Sequence, residues 1–345
     1  MVESGAHILL TSGTTGASKK VLIGRDYLST HLSRRAETYG FDERSIVNIF
    51  GYAMRTGGGY KVPCCVWSLG GAVIMHQAED FHRSLEIGGI THARANPAIL
   101  AAILGAPENA LRRHETMRLT IGGAQLSGAM AEKARRLLTP HLFTTIGSTE
   151  IGTWAITRIE SAEDLRSHRI APDSEVEIVD EADDPVSSGR MGLVRVRCAG
   201  MATAYLDDPD ATREFFRHGF FYSGDLGSMT RDGRLVLHGR ATNVLNAFGD
   251  KIAAEPIEMA LQERLAAKGV CVFSVPTEGD GETLHVVIET REPIAKADLA
   301  ASIRAEIPRF PDARVHFLAS LPRAMTGKID RLALRRLLLG DECAA

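Results

Sequence analysis

The stretch "HILLTSGTTGASKKVLIG" spans His7–Gly24 and decides how the rest of the 345-residue chain is read. An apolar run, His7 to Leu10, opens into Thr11-Ser12-Gly13-Thr14-Thr15-Gly16 and closes on Lys19 and Lys20. Four hydroxyls and two glycines in six residues, followed by paired cations, suit an anion. Glycine lets backbone N–H groups converge on a ligand with no Cβ in the way. Hydroxyls donate to anionic oxygens, and lysine adds a compact charge. A polar surface turn after a buried strand has the same composition, so this stretch alone leaves both readings open. It is not the Gly-x4-Gly-Lys-[Ser/Thr] phosphate loop, because Thr11 stands where that motif needs its first glycine.

Working outward, 44% hydrophobic content supports a large core, with more than one domain expected. A net charge of −3 argues against nucleic acid or an anionic membrane as the main partner. No apolar run approaches a membrane span. The start, Met1 to Ala6, lacks a basic region followed by an apolar stretch, so no secretory leader is expected. Five cysteines (Cys64, Cys65, Cys198, Cys271, Cys343) form no C-x-x-C, which argues against structural zinc and a disulfide framework. A cytoplasmic setting is expected. G-x-S-x-G, H-E-x-x-H and a strand-borne G-x-G-x-x-G are absent, as are internal repeats.

Strand candidates Ile8–Thr11, Ile46–Phe50, Ala72–Met75, Met117–Ile121 and Leu142–Ile146 are separated by helix candidates near Asp26–Tyr39, Gly58–Leu69, Pro97–Leu104 and Ser127–Leu138. Ser127 is placed to cap the last. This alternation implies an α/β fold with a mostly parallel sheet, whose sites gather at the carboxyl ends of strands. The Thr11-Ser12-Gly13, Gly122-Gly123-Ala124 and Gly147-Ser148-Thr149-Glu150 stretches all follow strand candidates there. From about Glu175 the pattern becomes short strands broken by turns at Asp183-Asp184-Pro185, Ser188-Gly189 and Arg231-Asp232-Gly233-Arg234, which predicts an antiparallel, barrel-like subdomain. After Gly239-Arg240 come a helix candidate (Glu255–Leu265), strands Val270–Val275 and Leu284–Glu289, a helix near Lys296–Ile303 and a strand Arg314–Leu318. This tail reads as a small α+β unit.

Five stretches occur in a telling order: "TSGTTGASKK" (Thr11–Lys20), "IGSTEIG" (Ile146–Gly152), "FYSGDLG" (Phe221–Gly227), "GRATNVLNAFGDKI" (Gly239–Ile252) and "LPRAMTGKIDR" (Leu321–Arg331). Together they resemble the adenylate-forming superfamily of acyl-CoA synthetases, peptide-synthetase adenylation domains and luciferases, with the compact acyl-CoA synthetases nearest in character. The resemblance covers nearly the whole chain. It implies activation of a carboxylic acid by ATP and Mg²⁺ as an acyl adenylate, with pyrophosphate release. Transfer to a thiol follows, with CoA as the expected co-substrate and a carrier-protein phosphopantetheine as the alternative. A non-catalytic relative that binds nucleotide or a protein partner is the third reading.

By resemblance, Thr11, Ser12, Gly13, Thr14, Thr15, Gly16 and Lys19 would hold the β- and γ-phosphates, and Thr149 the α-phosphate. Glu150 would hold Mg²⁺, a hard ion that takes carboxylate and phosphate oxygens. Asp225 would accept the ribose hydroxyls, and Arg240 would contact ribose and phosphate. Lys328 would bridge substrate carboxylate and α-phosphate. Gly123, Ala124, Ile146 and Gly147 join the nucleotide set, and Tyr52 and Met54 are acyl-pocket candidates. Considered singly, Asp225 is a turn residue, Glu150 a helix-start carboxylate and Lys328 a solvated loop lysine. The implied division is an ATP- and acyl-binding domain over 1–240 (1–172 α/β, 173–240 β), then a mobile lid over 241–345. The hinge falls at Thr242, and Gly249 lies on the face that approaches the thiol tunnel.

The pattern has departures. Ser18 and Lys20 stand where proline and glycine are common, and Lys20 is expected to be solvated. Ile146 replaces an adenine-stacking aromatic, a loss worth about 0.5–1.5 kcal/mol. Met54 stands near a histidine position. Relatives carry a long segment ahead of the phosphate loop, whereas here the loop begins ten residues from Met1. Either the member is naturally shortened or something upstream is missing; in both cases an exposed sheet flank is expected, covered by a second copy or a partner.

Overall fold

The computed structural model describes residues 6–11, 18–50, 52, 54, 56–75, 81–247, 250–276, 282–290, 294, 296–308, 313–323 and 329–340. It opens with β1 (His7–Leu10) and β2 (Lys20–Ile23), an antiparallel hairpin that pairs Leu10 with Lys20. This corrects the expectation that the first strand joins the parallel sheet. Only residues 11–19 separate the two strands, and a parallel crossover needs a dozen or more. The loop is closed at its base: Thr11 N–H donates to Lys19 O (2.9 Å), and Lys19 N–H donates to Thr11 Oγ1 (3.1 Å). Val21 bridges Tyr205, which fastens the hairpin to a distant segment.

There follow α1 (Arg25–Tyr39), β3 (Ile46–Asn48), α2 (Gly57–Ser68), β4 (Ala72–Ile74), β5 (His92–Ala95), α3 (Pro97–Leu104), β6 (Arg118–Gly122), α4 (Gly128–Leu137), β7 (His141–Ser148) and β8 (Gly152–Arg158). Six of these strands form one sheet in the order β4-β3-β5-β6-β7-β8, parallel except for β8. Asn96 and Ser127 cap α3 and α4 through the Ile99 and Met130 N–H groups. α2 has poor helix formers, three glycines and Pro63, yet it forms because Val62, Cys65 and Val66 are fully buried. β5 escaped the pattern reading because His92 and Arg94 interrupt it. In the fold the His92 ring pairs with the Tyr39 carbonyl (3.1 Å) and the Thr91 hydroxyl (2.8 Å), which makes its burial tolerable. The core on this sheet includes Ala93, Leu100, Met117, Leu119, Ile121 and Leu142.

Next come β9 (Ser167–His168), β10 (Ser174–Val179), β11 (Gly192–Cys198), α5 (Pro209–Phe215), β12 (Phe216–Arg217), β13 (Phe220–Met229) and β14 (Leu235–Arg240). They form a curled antiparallel sheet in the order β10-β11-β13-β14-β9, with β12 on β13. Register shifts at Leu193/Arg195 and Leu226/Gly227 bend its strands. Trp154 of β8 sits in the same core as Val194, Val196, Phe221 and Leu235, so β8 joins the two sheets.

Beyond a short turn at Ala241–Asn243 the chain forms the hairpin β15 (Val244–Ala247) and β16 (Asp250–Ala253), then α6 (Ala254–Arg264), β17 (Gly269–Pro276), β18 (Glu282–Glu289), α7 (Lys296–Glu306), β19 (Arg314–Leu318) and α8 (Arg331–Leu339). The β17-β18-β19 sheet has its own core, which includes Leu245, Leu261, Val272, Val286 and Ile303. Among the described residues no helix is long and apolar enough to cross a membrane.

Candidate active site

Ile146 lies within β7 as expected, Gly147 and Ser148 extend that strand rather than starting a loop, and Thr149 and Glu150 form the turn into antiparallel β8. Glu150 is therefore not a helix-start carboxylate. β7 and β8 approach so closely at the Ile146/Gly147 register shift that a Cβ on Gly147 would lie 2.4 Å from the Gly152 carbonyl oxygen. Only glycine fits there. Ile146 is half-buried against the Trp154 core.

Glu150 is buried at 6% exposure, and Tyr205 Oη donates to its Oε1 at 2.7 Å. Burial first, and then the Glu150 charge, push the Tyr205 pKa upward, so the phenol keeps its proton and donates. The Lys19 ammonium lies 4.7 Å from the Phe215 ring centre and 5.8 Å from that of Tyr205. The hairpin thus delivers Lys19 to the phenol that holds Glu150. The charge of Arg240 also reaches Tyr205. On β14, Arg240 is paired in register with Asp225 of β13. Arg240 Nη1 donates to Asp225 Oδ1 (3.0 Å) and to the Ser223 carbonyl (2.8 Å). Three of the sequence motifs therefore meet around one tyrosine.

The support beneath the turn was not read from sequence. Lys61 of α2 is wholly buried, and its Nζ donates to the Thr149 carbonyl (2.7 Å) and the Tyr27 hydroxyl (2.8 Å). Tyr27 in turn donates to the Glu150 carbonyl (2.9 Å). Burial, then the nearby Arg35 charge, hold the Lys61 amine well below its ordinary pKa. A lysine among the apolar positions of a helix is a usable signal, but its target lies 88 residues away in sequence. Tyr205 and Tyr27 carry no local motif. The first turn of α2 abuts Thr149: a Cβ on Gly57 would lie 3.1 Å from Thr149 Oγ1. A helix N-terminus there adds positive potential beside the turn.

The remaining predicted residues divide clearly. Gly123 (φ +90°) and exposed Ala124 lie past the end of β6. Lys20 is exposed, with Nζ 3.7 Å from Asp207. Tyr52 is half-buried against the Tyr39 and Val47 core, whereas Met54 is exposed. Thr242 is exposed in the turn between β14 and β15. Its neighbour Asn243 donates to Glu255 Oε1 at 2.5 Å. Ser12, Gly13, Thr14, Thr15, Gly16, Gly249 and Lys328 lie outside the described residues. No cluster of three or more His, Cys, Asp or Glu able to hold a metal occurs among the described residues.

A family model described as "AMP-binding enzyme" matches residues 3–206. Salicylyl-CoA synthase / salicylate adenylyltransferase from a Streptomyces species is 27% identical, over 97% of this chain and 63% of its own length. The 2,3-dihydroxybenzoate-AMP ligase of Bacillus subtilis is 27% identical, over 96% and 64% respectively. Enterobactin synthase component E of Escherichia coli is 29% identical, over 96% and 65%. The chain spans just under two thirds of the length of these relatives. Among solved structures, ATP-bound MatB from Rhodopseudomonas palustris superposes with a TM-score of 0.84 at 22% identity, covering 97% of this chain and 68% of that one. The o-succinylbenzoate coenzyme A synthetase of Bacillus subtilis, in complex with ATP and magnesium ion, gives 0.84 at 21%, covering 95% and 69%. At that identity the likeness is one of fold. The chain belongs to the AMP-binding enzyme family.

Proposed function

We propose that this member of the AMP-binding enzyme family activates a carboxylic acid with ATP and passes the acyl group to a thiol. A carboxylate oxygen attacks the α-phosphorus, the bond to the bridging oxygen breaks, and pyrophosphate leaves. A thiol then displaces AMP from the acyl adenylate. The observation that carries this reading is the convergence on Tyr205: Glu150 hydrogen-bonded to its hydroxyl, Lys19 against its ring and Arg240 within electrostatic reach. Two anions must be brought together, and fixed donors and cations in a buried setting do that at least cost.

The residues divide the work as follows. Lys19 and the loop ahead of it hold the terminal phosphates, with Thr149 at the α-phosphate. Asp225 takes the ribose hydroxyls, and its bond to Arg240 orients both side chains. Lys328 neutralises the charge that develops during attack. Gly123, Ala124, Ile146 and Gly147 flank the nucleotide, and Tyr52 and Met54 border the acyl group. A single buried carboxylate, Glu150, suits Mg²⁺, which is commonly held by one or two carboxylates plus substrate phosphates. When bound, that ion neutralises phosphate charge. The domain over 241–345 acts as the lid and pivots at Thr242.

The names of several relatives specify aromatic acids, salicylate and 2,3-dihydroxybenzoate among them, which supports an aryl acid as the substrate class. CoA is the proposed acceptor, and a carrier-protein phosphopantetheine is the alternative. ATP–pyrophosphate exchange with Mg²⁺, across aryl, short-chain, medium-chain and amino acids, tests the reading. Exchange with aryl acids supports it. ATP binding without exchange for any acid supports a non-catalytic relative.

A further inference from the structure

A small cavity with room for about one water molecule lies between α1 and β8, lined by His31, Arg34, Arg35, Thr38 and Thr153. Its chemistry is one-sided. Arg35 Nη2 lies 3.2 Å from His31 Nε2, and arginine can only donate. His31 Nε2 is therefore the acceptor, and its proton sits on Nδ1. Burial and the neighbouring Lys61, Arg35 and Arg34 charges hold His31 far below its ordinary pKa, which agrees with a neutral ring. The Nδ1–H donor has no partner, nor do Arg35 Nε and Nη1. His31 is 2% exposed and Arg35 7%. Two buried lining residues thus carry three orphaned donors.

The other lining groups carry no negative charge to balance Arg35, although the Thr38 and Thr153 hydroxyl oxygens keep lone pairs. Arg34 spends its donors on Asp173, Cys198, Ala199 and Ser174. The Thr38 hydroxyl donates to the Arg34 carbonyl (2.8 Å), and Thr153 shares a hydrogen bond with Tyr39 (2.7 Å). Among the described residues no carboxylate pairs with Arg35, and Arg94 adds a second guanidinium 4.7 Å from the Tyr39 ring centre. A buried cation without a counter-ion is costly. A water molecule could accept two of these hydrogen bonds and pass its protons to the Thr38 and Thr153 oxygens, but it would leave the Arg35 charge unbalanced. A monatomic anion accepts from every side and balances that charge.

We propose that this cavity is a halide site, occupied by chloride, in which the orphaned donors of Arg35 and His31 hold the ion and its charge offsets Arg35. The ion braces α1 against β8 behind the Glu150 turn, because His31 packs directly on Gly152: a Cβ there would lie 2.2 Å from His31 Cε1.

The test is a thermal melt of the full chain in sodium chloride, bromide and gluconate at one ionic strength, with crystals grown in bromide and measured at the bromine edge. The expected result is a saturable rise in melting temperature with chloride and bromide over gluconate. An anomalous peak should sit among the five lining residues. Loss of the halide dependence in Arg35→Met would support the assignment. Equal melting in all three salts, or anomalous density only outside this cavity, would overturn it. So would halide dependence retained in a folded Arg35→Met. If that variant does not fold, the anomalous map of the unaltered protein decides.

Discussion

Two glutamates are buried to nearly the same depth, and they do opposite things. Glu150, 6% exposed, receives one phenolic hydrogen bond. Glu258 of α6, 8% exposed, receives the Val272 N–H (2.6 Å) at one oxygen and Arg331 Nη2 (2.7 Å) at the other. Arg331 also donates to the Val272 carbonyl (2.9 Å), so α6, β17 and α8 are fastened at one point. A carboxylate met on both oxygens by an N–H and a guanidinium is scaffold. One held by a single neutral donor, with cations arriving from two other segments, keeps capacity for a ligand.

The comparison can be broken most forcefully at Glu258. Arg331→Met should cost about 3–5 kcal/mol, because it strands a buried carboxylate. A urea denaturation curve measures this, and a loss under 1 kcal/mol would show that Glu258 is not held as described. Glu150→Gln should do the reverse: pyrophosphate exchange falls by about 10²–10³-fold with little change in the unfolding midpoint. Lys328→Ala should lose a similar factor while ATP affinity persists, and full exchange in that variant would remove Lys328 from the mechanism. Tyr205→Phe sharpens the contrast, with a loss of about 10–100-fold because the group that orients Glu150 is gone. Lys61→Met strands the Thr149 carbonyl and should cost about 1–3 kcal/mol in stability, with weakened exchange beside it.

The effect spread most widely over the molecule is in pH. Burial pulls His92, His168 and His285 down to about 4, with His316 a further cause at His285. In the unfolded chain a histidine titrates near 6.5. Between those values the unfolded chain binds more protons, so stability is complete above about 6.5 and is lost as pH falls toward 4. Denaturation midpoints at several pH values across that window check the sign. His92 and His168 lie in the two large sheets and His285 in the small one, so both halves of the molecule should weaken together.

Much of the fold was legible where periodicity and turn chemistry agree. Ser127 announces α4, and the turns after Glu175 announce the antiparallel sheet. β5 and the β1–β2 hairpin were not legible. His92 and Arg94 hide a buried strand until their partners are known, and the pairing of Leu10 with Lys20 depends on a loop too short to cross over. The motif residues Lys19, Glu150, Asp225 and Arg240 stood out because chemistry-bearing side chains sit among glycines. Tyr27, Lys61 and Tyr205 did not, since each acts on a residue far along the chain.

By itself the sequence determined the α/β class, the order of the sheets and the residue types that anion chemistry requires, because these follow from local patterns of apolar, glycine and charged positions. Tertiary structure alone decided that Tyr205 gathers Lys19, Glu150 and Arg240, and that Lys61 and Tyr27 hold the turn from below. A hydrogen bond across 55 or 88 residues leaves no local trace, since its partners meet only after the intervening strands have packed.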